Sequence, residues 1–498
     1  MMHDREKSDD LVVPVKLSNN AQGGAAEMVE GSGSAKGNTT DETRPGLSAG
    51  AGAPSDLSRV RRVAATDKEA RFTALLHHVD VDRLRAAYGA LKPKAAPGVD
   101  GVTWEDYGAD LEENLRDLHA RVHRGAYRAR PSRRVFIPKP DGRLRPLGVA
   151  ALEDKILQRA LVEVLNAIYE QDFLGFSYGF RPGRSPHHAL DALAAGIVGK
   201  KVNWVLDADF SDYFSSLDHQ WLMKFLEHRI ADRRVLRLIQ KWLAAGVIED
   251  GSWTALEEGV PQGASASPLL ANVYAHYVFD LWAHQWRTRH AHGDVIIVRW
   301  ADDFVVGFEH REDAERFWSD LRDRLAKFGL ELHAEKTRLI EFGRRAARDR
   351  AARGLGKPET FQFLGCTHVC GKTRKTKRFK LTRLTDAKRM RAKLLAITRE
   401  MWKRMHHPIP EQGRWLARVL QGHYNYYAVP DNIEALNAFR KGLIRHWLRL
   451  LRRRSQRSTM TWERMWRLAD QWLPQPRISH PWPEQRFAAR TQGRSPVR

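Results

Sequence analysis

The chain has few cysteines, no long apolar run and a shortage of acidic residues. Its only cysteines, Cys366 and Cys370, are too few for a disulfide framework and lack the second cysteine pair of a zinc ribbon. No apolar segment approaches the ~18 residues that a membrane-spanning helix needs. The N-terminus MMHDREKSDD is charged where a signal peptide has an apolar core. These absences predict a cytoplasmic protein with no membrane association and no structural zinc site.

The shortage of acidic residues leaves a strongly basic chain. Its 498 residues contain 83 Lys and Arg against 60 Asp and Glu, a formal net charge of +23 at pH 7. A field of that sign attracts polyanions, and nucleic acid is the expected partner. The hydrophobic content of 42% in a chain of this length allows two or three globular domains.

Composition changes along the chain and suggests its organisation. Residues 1–60 are rich in Gly, Ala, Ser and charge, so they are predicted to form a disordered leader. Helical patterns at 111–124 and 154–168 alternate irregularly with short β-rich runs up to about residue 370, which favours an α+β fold over a doubly wound one. Residues 383–473 have a helical pattern with many Arg and Trp.

Residues 295–308, VIIVRWADDFVVGF, predict a β-hairpin with two carboxylates at its turn. Adjacent Asp302 and Asp303 repel each other, and no Lys or Arg follows within the hairpin to neutralise them. A divalent cation would remove the conflict. The alternative is that Asp-Asp is ordinary turn chemistry, and the hairpin alone does not decide between the two.

A two-metal phosphoryl-transfer site needs further carboxylates, because they bridge two Mg²⁺ ions ~3.5–4 Å apart. Asp209 and Asp207 lie at the end of a β-rich run and are both candidates. They are two residues apart and so share one face of a strand, and the spacing alone does not choose between them. An Asp at a strand end also caps the following helix in many proteins, which is the structural alternative.

Six short segments occur along the chain in a fixed order, and this combination is more specific than a match to any single motif. They are 139–148 (KPDGRLRPLG), 177–185 (SYGFRPGRS), 209–214 (DFSDYF), 259–270 (GVPQGASASPLL), 299–304 (RWADDF) and 329–337 (GLELHAEKT). Together, over roughly residues 90–370, they resemble the successive blocks of reverse transcriptases encoded by bacterial group II introns. The helical region also resembles that family, at 420–432, 446–454 and 480–487.

The resemblance implies a right-hand polymerase fold of the α+β class, with fingers and palm followed by an α-helical thumb and maturase domain. The implied divisions are an N-terminal extension and fingers at 61–200, a palm with the active site at 201–370, a helical thumb/maturase region at 371–480 and a basic tail at 481–498. Relatives with a metal-dependent HNH nuclease carry Cys pairs after the maturase region. No such pairs follow here, and no second-strand cutting is expected.

The resemblance also implies the metal ligands. Asp209 matches the family's first metal-binding aspartate, ahead of Asp207, because Phe214 follows it five positions later as in the family. Asp302 and Asp303 match the other two. With the backbone carbonyl of Phe210, these aspartates are expected to hold two Mg²⁺ ions.

Seven residues match nucleotide-binding positions of the family. They are the fingers cations Lys139, Arg143 and Arg145, Gln262 along the incoming nucleotide, Gly263 where backbone approaches closely, Lys336 near the leaving phosphate, and Phe214. Phe214 resembles the bulky side chain that excludes a ribose 2′-hydroxyl and so selects deoxynucleotides. Core packing is its alternative, and a solvated loop is the alternative for the fingers cations.

Two features of the sequence bear on activity and RNA binding. Trp300 stands where the family most often has Tyr, which puts primer placement, rate and fidelity in question but not metal binding. RNA-binding candidates in the helical region are Tyr424, Tyr426 and Tyr427, which can stack on bases, and Arg452, Arg453 and Arg454, which can bind phosphates. Helical core packing and a solvated arginine face are their respective alternatives.

These observations predict an RNA-directed DNA polymerase that copies intron RNA into DNA and also assists splicing as a maturase. Its expected partners are group II intron RNA, a DNA target or primer and dNTPs, and the protein is expected to be a monomer or homodimer. One alternative is an RNA-binding splicing factor with a decayed polymerase, against which the intact Asp209, Asp302, Asp303 and Gln262 argue. Another is a reverse transcriptase repurposed for host defence, a class that usually lacks the maturase-like region.

Overall fold

The computed structural model describes residues 56–138, 144–454 and 459–490, which form helices and strands in one mixed α+β structure, as predicted. The strands are β1 (Ser132–Pro138), β2 (Leu144–Val149), β3 (Trp204–Asp209), β4 (Val247–Glu249), β5 (Ser252–Thr254), β6 (Val295–Trp300), β7 (Asp303–Phe308), β8 (Arg338–Glu341), β9 (Phe361–Phe363), β10 (Cys366–Lys372) and β11 (Phe379–Thr385).

The helices lie before, between and after these strands. They are α1 (Ser58–Thr66), α2 (Val81–Gly89), α3 (Trp104–Ala109), α4 (Leu111–His123), α5 (Leu152–Asp172), α6 (Pro186–Gly199), α7 (His219–Glu227), α8 (Arg233–Ala244), α9 (Ser267–Ala275), α10 (Leu281–Arg289), α11 (Arg311–Ala326), α12 (Ala346–Ala352), α13 (Ala387–Lys403), α14 (Ile409–Tyr427), α15 (Ile433–Arg453), α16 (Trp462–Trp472) and α17 (Pro483–Arg490). Short 3₁₀ segments lie at Leu76–His78 and Tyr213–Ser215, and a π-helical segment, His276–Asp280, joins α9 to α10.

The central sheet has four strands in the order β6-β7-β3-β8, each pair antiparallel. Its strands are apolar on both faces because helices cover both sides. Phe304 and Val306 point into the larger core, whereas Val305 points into a second core beside α6. The β6–β7 hairpin confirms the prediction made from residues 295–308, and its turn lies between the paired residues Trp300 and Asp303.

A second four-stranded sheet, in the order β2-β1-β4-β5, lies next to the central one. β1 and β2 form an antiparallel hairpin, while β1 and β4 pair in parallel, with Ser132 opposite Val247. The amide of Gly148 at the end of β2 donates to the carbonyl of Gln262, 2.6 Å away. This bond attaches the second sheet to the loop that precedes α9.

A three-stranded sheet, β9-β10-β11, leads into the helical region, which has its own apolar core built from α13 to α16. The domain boundary predicted between residues 370 and 371 falls inside β10. The helices begin only at Ala387, after the β10–β11 hairpin. Within the predicted basic tail from residue 481, helix α17 forms and packs on α6.

The predicted disordered leader is too long at its C-terminal end. Helix α1 begins at Ser58 and buries Val60 against α5, so residues 58–60 are helical. Residues 1–55 lie outside the described part of the chain, as do residues 491–498 of the predicted tail. Among the helices that the structure describes, none is both long and apolar enough to cross a bilayer.

Candidate active site

Three aspartates predicted to act together meet at one end of the central sheet. Asp209 ends β3 and lies directly opposite Asp303, the first residue of β7, while Asp302 occupies the hairpin turn. The amide of Phe210 donates to the carbonyl of Asp302 at 3.1 Å, which ties the end of β3 to that turn. Strand alternation puts Asp207 on the same face as Asp209 and Asp303. The face therefore carries several carboxylates in adjacent positions.

This crowding of carboxylates raises their pKa values. Burial raises the pKa of Asp303 well above its usual range, and the charges of Asp207, Asp209 and Asp302 raise it further. The pKa of Asp302 is also raised, first by burial and then by Asp209, while Lys336 and Arg145 oppose the shift. The cluster therefore carries more negative charge than the fold itself compensates.

Asp207 and Asp209 differ in their cationic partners, which separates two residues that spacing alone left equivalent. Asp207 is buried and accepts a 3.2 Å bond from Arg338, its cross-strand neighbour on β8. Burial raises its pKa to about 6. Asp209 is half-buried and contacts the ammonium group of Lys336, whose side chain is 53% exposed. Asp209 is thus the more accessible carboxylate for a ligand.

The donor set at this end of the sheet fits a hard divalent cation. Mg²⁺ prefers carboxylate and carbonyl oxygens, and a cluster of repelling carboxylates is stabilised by a cation between them. Within residues 56–138, 144–454 and 459–490, no three His, Cys, Asp or Glu side chains are already arranged around a metal position. Lys336 holds Asp209 instead. A cation bound to Asp209 would have to displace that ammonium group.

A buried arginine that sequence reasoning missed supports the turn at residues 300–303. Arg299 has no exposed surface and forms two bonds of 2.6 and 2.7 Å to Asp280, which is also fully buried. The same guanidinium donates to the carbonyl of Ala301 at 2.9 Å and to the hydroxyl of Ser177 at 2.7 Å. The available signal was a lone charge inside the apolar run VIIVRW, since a buried charge requires a buried partner.

Backbone hydrogen bonds join the segment after β3 and the end of β2 to the loop at residues 259–263, which carries Gln262. The half-buried Phe214 follows β3, and its carbonyl accepts from the amide of Val260 at 2.7 Å. Gly263 has a φ of +106°, and a Cβ there would lie 3.0 Å from the carbonyl oxygen of Gly148. This close approach of two backbones requires glycine at position 263 and joins β2 to the loop that carries Gln262.

The predicted fingers cations are only partly within the described structure. Arg145 lies on β2 opposite Ile137, and its side chain is exposed. Its charge lowers the pKa of Asp302, so it acts on the carboxylate cluster. Lys139 and Arg143 lie outside the described residues.

Trp300, the departure from the family pattern, ends β6 beside the carboxylates. Its side chain is half-buried and packs against the smaller core next to α6. Gly179 lies so close to it that a Cβ there would be 3.0 Å from the Trp300 carbonyl carbon and 2.4 Å from the Ala301 amide. The loop at residues 177–181 is therefore packed directly against the turn.

The three tyrosines proposed to contact RNA are mainly structural. Tyr424 is only 4% exposed and its hydroxyl donates to the carbonyl of Pro474, so this side chain packs in the helical core in this structure. Tyr426 and Tyr427 are half-buried, and the Tyr426 hydroxyl donates to the Leu364 carbonyl at 2.8 Å. Their helical spacing reflects core packing, which was the alternative prediction.

The arginines at the end of α15 are exposed, as a phosphate-binding role requires. The Arg453 guanidinium lies 5.4 Å from the ring centroid of Trp402, and Arg454 donates to the carbonyl of His407 at 3.3 Å. Arg452 donates to the carbonyl of Met460 at 2.9 Å. All three remain accessible to a polyanion.

Next to these arginines, across the turn at residues 404–408, lies an open groove of about 700 Å³, called here the α14 groove. Its lining includes Arg404, Arg414, Arg418, Trp415 and Trp472. The Arg404 guanidinium lies 5.1 Å from the Trp415 ring centroid, whereas Arg414 and Arg418 are exposed. Exposed guanidinium groups beside aromatic rings suit phosphates and bases.

Comparison with known proteins agrees with this geometry. Residues 137–368 match the family described as "Reverse transcriptase (RNA-dependent DNA polymerase)". The matched segment, which is similar to reverse transcriptases, includes the three aspartates, the loop with Gln262 and Lys336.

Three curated proteins are similar to parts of this chain. The chain is 41% identical over 229 residues to Protein YkfC of Escherichia coli (strain K12), covering 45% of this chain and 60% of that protein. It is 32% identical over 222 residues to the group II intron-encoded protein LtrA of Lactococcus lactis subsp. cremoris, covering 44% and 37%. It is 40% identical over 146 residues to an uncharacterized 91 kDa protein in the cob intron of Schizosaccharomyces pombe, covering 29% and 18%.

The chain is thus similar to reverse transcriptases and to a protein encoded by a group II intron, in agreement with the resemblance seen in the sequence. It spans less than two thirds of the length of each of these three proteins.

Proposed function

We propose that the chain is an RNA-directed DNA polymerase that copies group II intron RNA into DNA and also binds that RNA as a maturase. The observation that supports the polymerase is the pairing of Asp209 with Asp303 beside Asp302 at the end of the central sheet. In this proposal β1, β2 and the segments around them act as fingers, the central sheet as palm, and α13 to α16 as thumb and maturase region.

The carboxylates of Asp209, Asp302 and Asp303, with the carbonyl of Phe210, would hold two Mg²⁺ ions. When bound, these ions supply activation of the primer 3′-hydroxyl and neutralisation of the leaving pyrophosphate. The bound ions would keep the carboxylates ionised against their raised pKa values, and the protein's part is to fix them in position. The buried Arg299 does this mechanically, because it fastens the turn to Asp280 and Ser177.

The other residues position the nucleotide. Arg145 and Lys336 provide positive charge near the carboxylates and would neutralise the triphosphate. When Mg²⁺ binds to Asp209, Lys336 would lose its contact with that carboxylate and would bind a phosphate oxygen instead. Phe214 would exclude the ribose 2′-hydroxyl, and Gln262 would lie along the incoming nucleotide. Lys139 and Arg143 have the same proposed role as Arg145.

For RNA binding, we assign the contacts to the exposed arginines of the helical region instead of its tyrosines. Arg452, Arg453, Arg454 and the α14 groove form one basic surface, because Arg454 bonds to the turn at residues 406–407 that borders the groove. Phosphate contacts of this kind supply affinity that is largely independent of sequence. Shape and unpaired bases would supply the preference for the intron.

Primer extension by the purified full-length chain tests the polymerase proposal. The substrate is an oligo(dT) primer on poly(rA), with dTTP and Mg²⁺. Extension that depends on the RNA template and on Mg²⁺ is expected. No product under these conditions, combined with intact binding of intron RNA, would instead identify an RNA-binding splicing factor.

Neutralising the α14 groove is expected to weaken RNA binding and flatten its salt dependence. In Arg414→Gln/Arg418→Gln the affinity should fall about tenfold, and the slope of log affinity against log salt should shrink by about 1–2, because each lost phosphate contact removes about one released counterion. Filter binding of structured intron RNA between 50 and 300 mM salt measures both quantities.

The matched control for this experiment is Arg348→Gln, which removes an equally exposed arginine on α12 outside the helical region. It should leave affinity within about twofold of wild type. An unchanged salt slope in the double variant would exclude the α14 groove from the RNA-binding surface.

A further inference from the structure

Phe180 combines two features that a folded protein ordinarily avoids. Its ring is 52% exposed, and its backbone has a φ of +59°, in the left-handed region. A bulky side chain is rare there, and such backbone strain persists only where the surroundings enforce it. Strained residues of this kind concentrate at ligand-binding sites, where neighbouring groups hold them in place.

The neighbours that enforce the strain belong to the frame of the active site. The carbonyl of Gly179 accepts from the Asn272 amide at 2.7 Å, and the amide of Tyr178 donates to the Arg299 carbonyl at 2.9 Å. On the other side, the buried Arg181 donates to the carbonyls of Ser177 and Leu174 and pairs with Glu170. Phe180 is thus held from both sides by groups that also position the turn at residues 300–303.

The enforced conformation brings the Phe180 ring against Phe214. The two centroids are 6.2 Å apart with an interplanar angle of 74°, an edge-to-face contact. Tyr213 makes a similar contact with Phe214, at 5.7 Å and 67°. Tyr213 is itself fixed, because it is buried and its hydroxyl donates to the carbonyl of Ala271. Phe214 therefore contacts one fixed ring and one exposed ring.

We infer that Phe180 is a positioning residue for sugar selection: its strained, exposed ring supports Phe214 in the orientation that excludes a ribose 2′-hydroxyl. The inference rests on the proposed polymerase function and on the role of Phe214. A ring excludes a hydroxyl group only if it cannot rotate aside. Tyr213 and Phe180 each contact the Phe214 ring and so restrict its rotation. Removing Phe180 frees that rotation without changing any group that touches the metal ligands.

The test compares the selectivity for dGTP over GTP, each as kcat/KM, on a poly(rC) template with an oligo(dG) primer. Phe180→Ala should lower this selectivity about tenfold while keeping kcat/KM for dGTP within about threefold, because the loss concerns one apolar contact in a pocket. Phe214→Ala should lower selectivity further, about 100-fold. Phe180→Tyr preserves the ring and should stay within about twofold of wild type.

Glycine variants separate the effect on selectivity from the release of strain. Phe180→Gly removes both the ring and the strain, so it should lose selectivity like Phe180→Ala and unfold at a higher temperature than that variant. Lys377→Gly is the matched control, because Lys377 has a φ of +52° and is exposed in the β10–β11 hairpin. It should gain thermal stability and keep wild-type selectivity.

Two results overturn the inference, and they are distinguishable. Unchanged selectivity in Phe180→Ala, beside reduced selectivity in Phe214→Ala, overturns the role of Phe180 alone. No RNA-templated extension by the wild-type protein overturns the proposed polymerase and the inference with it.

Discussion

Asp302→Asn is expected to abolish primer extension while leaving the affinity for intron RNA within about twofold. Activity should fall by at least about 100-fold, since even residues that act indirectly on a metal ligand are worth 10- to 100-fold. RNA affinity should persist because it is electrostatic and distributed over many contacts. Primer extension and filter binding, measured on the same preparation, check the two parts. Loss of RNA affinity by orders of magnitude would contradict the separation of the two functions.

Asp303→Asn should be equally inactive, and in the absence of Mg²⁺ it should be more stable than wild type. The folded-state pKa of Asp303 is raised by burial and by three neighbouring carboxylates, so its charge opposes folding at neutral pH. A raised carboxyl pKa means that the folded state binds more protons. The free energy of unfolding of the wild-type protein should therefore increase as the pH is lowered from above the folded-state pKa of Asp303 to its unfolded-state pKa.

The stability advantage of Asp303→Asn should accordingly shrink as the pH is lowered, and added Mg²⁺ should also reduce it. Thermal unfolding with and without Mg²⁺ at several pH values measures both effects. Asp323→Asn, an exposed change on α11, is the control and should alter neither activity nor the pH dependence of stability. An Asp303→Asn protein that is less stable than wild type at every pH would refute the charge-crowding argument.

Arg299→Met is expected to give the largest loss of stability of any single substitution considered, about 3–5 kcal/mol. It strands Asp280 as an unpaired buried charge, because both side chains are fully buried and bonded to each other. Chemical denaturation measures the loss. The exposed pair Arg467–Glu463 on α16 is the control, since Arg467→Met should cost under about 1 kcal/mol.

The double variant Arg299→Met/Asp280→Leu distinguishes stability from positioning. It removes both buried charges, so most of the lost stability should return. Polymerase activity should not return, because the bonds from Arg299 to the Ala301 carbonyl and the Ser177 hydroxyl remain absent. Full activity in the double variant would show that Arg299 acts only through stability.

Local patterns determined a large part of the structure. The β6–β7 hairpin follows from two β-branched runs around a polar turn, and α5 from apolar residues at helical spacing. Such elements depend on near neighbours in the chain. The ends of such elements are harder to predict. The predicted domain boundary at residues 370–371 falls inside β10, a strand that is recognised only by its pairing with β9 and β11.

The sequence could not assign roles that depend on distant contacts. Tyr424, Tyr426 and Tyr427 have a spacing that suits either a base-stacking surface or a helical core. For Tyr424, only the packing of α14 against the segment around Pro474 shows that the side chain lies in the helical core. Likewise, Asp207 and Asp209 share a strand face, and only the pairing of β3 with β8 gave Asp207 its partner Arg338.

By itself, the sequence determined the basic charge, the order of the reverse transcriptase blocks and the identity of the acidic residues, because these are properties of residue type and spacing. The tertiary structure decided which residues meet: Asp209 with Asp303, Arg299 with Asp280, and Phe180 with Phe214. These pairs are 19 or more positions apart in the chain. Their contact depends on the folding of β3, α9 and the loop at residues 177–181 around one sheet, which no local pattern specifies.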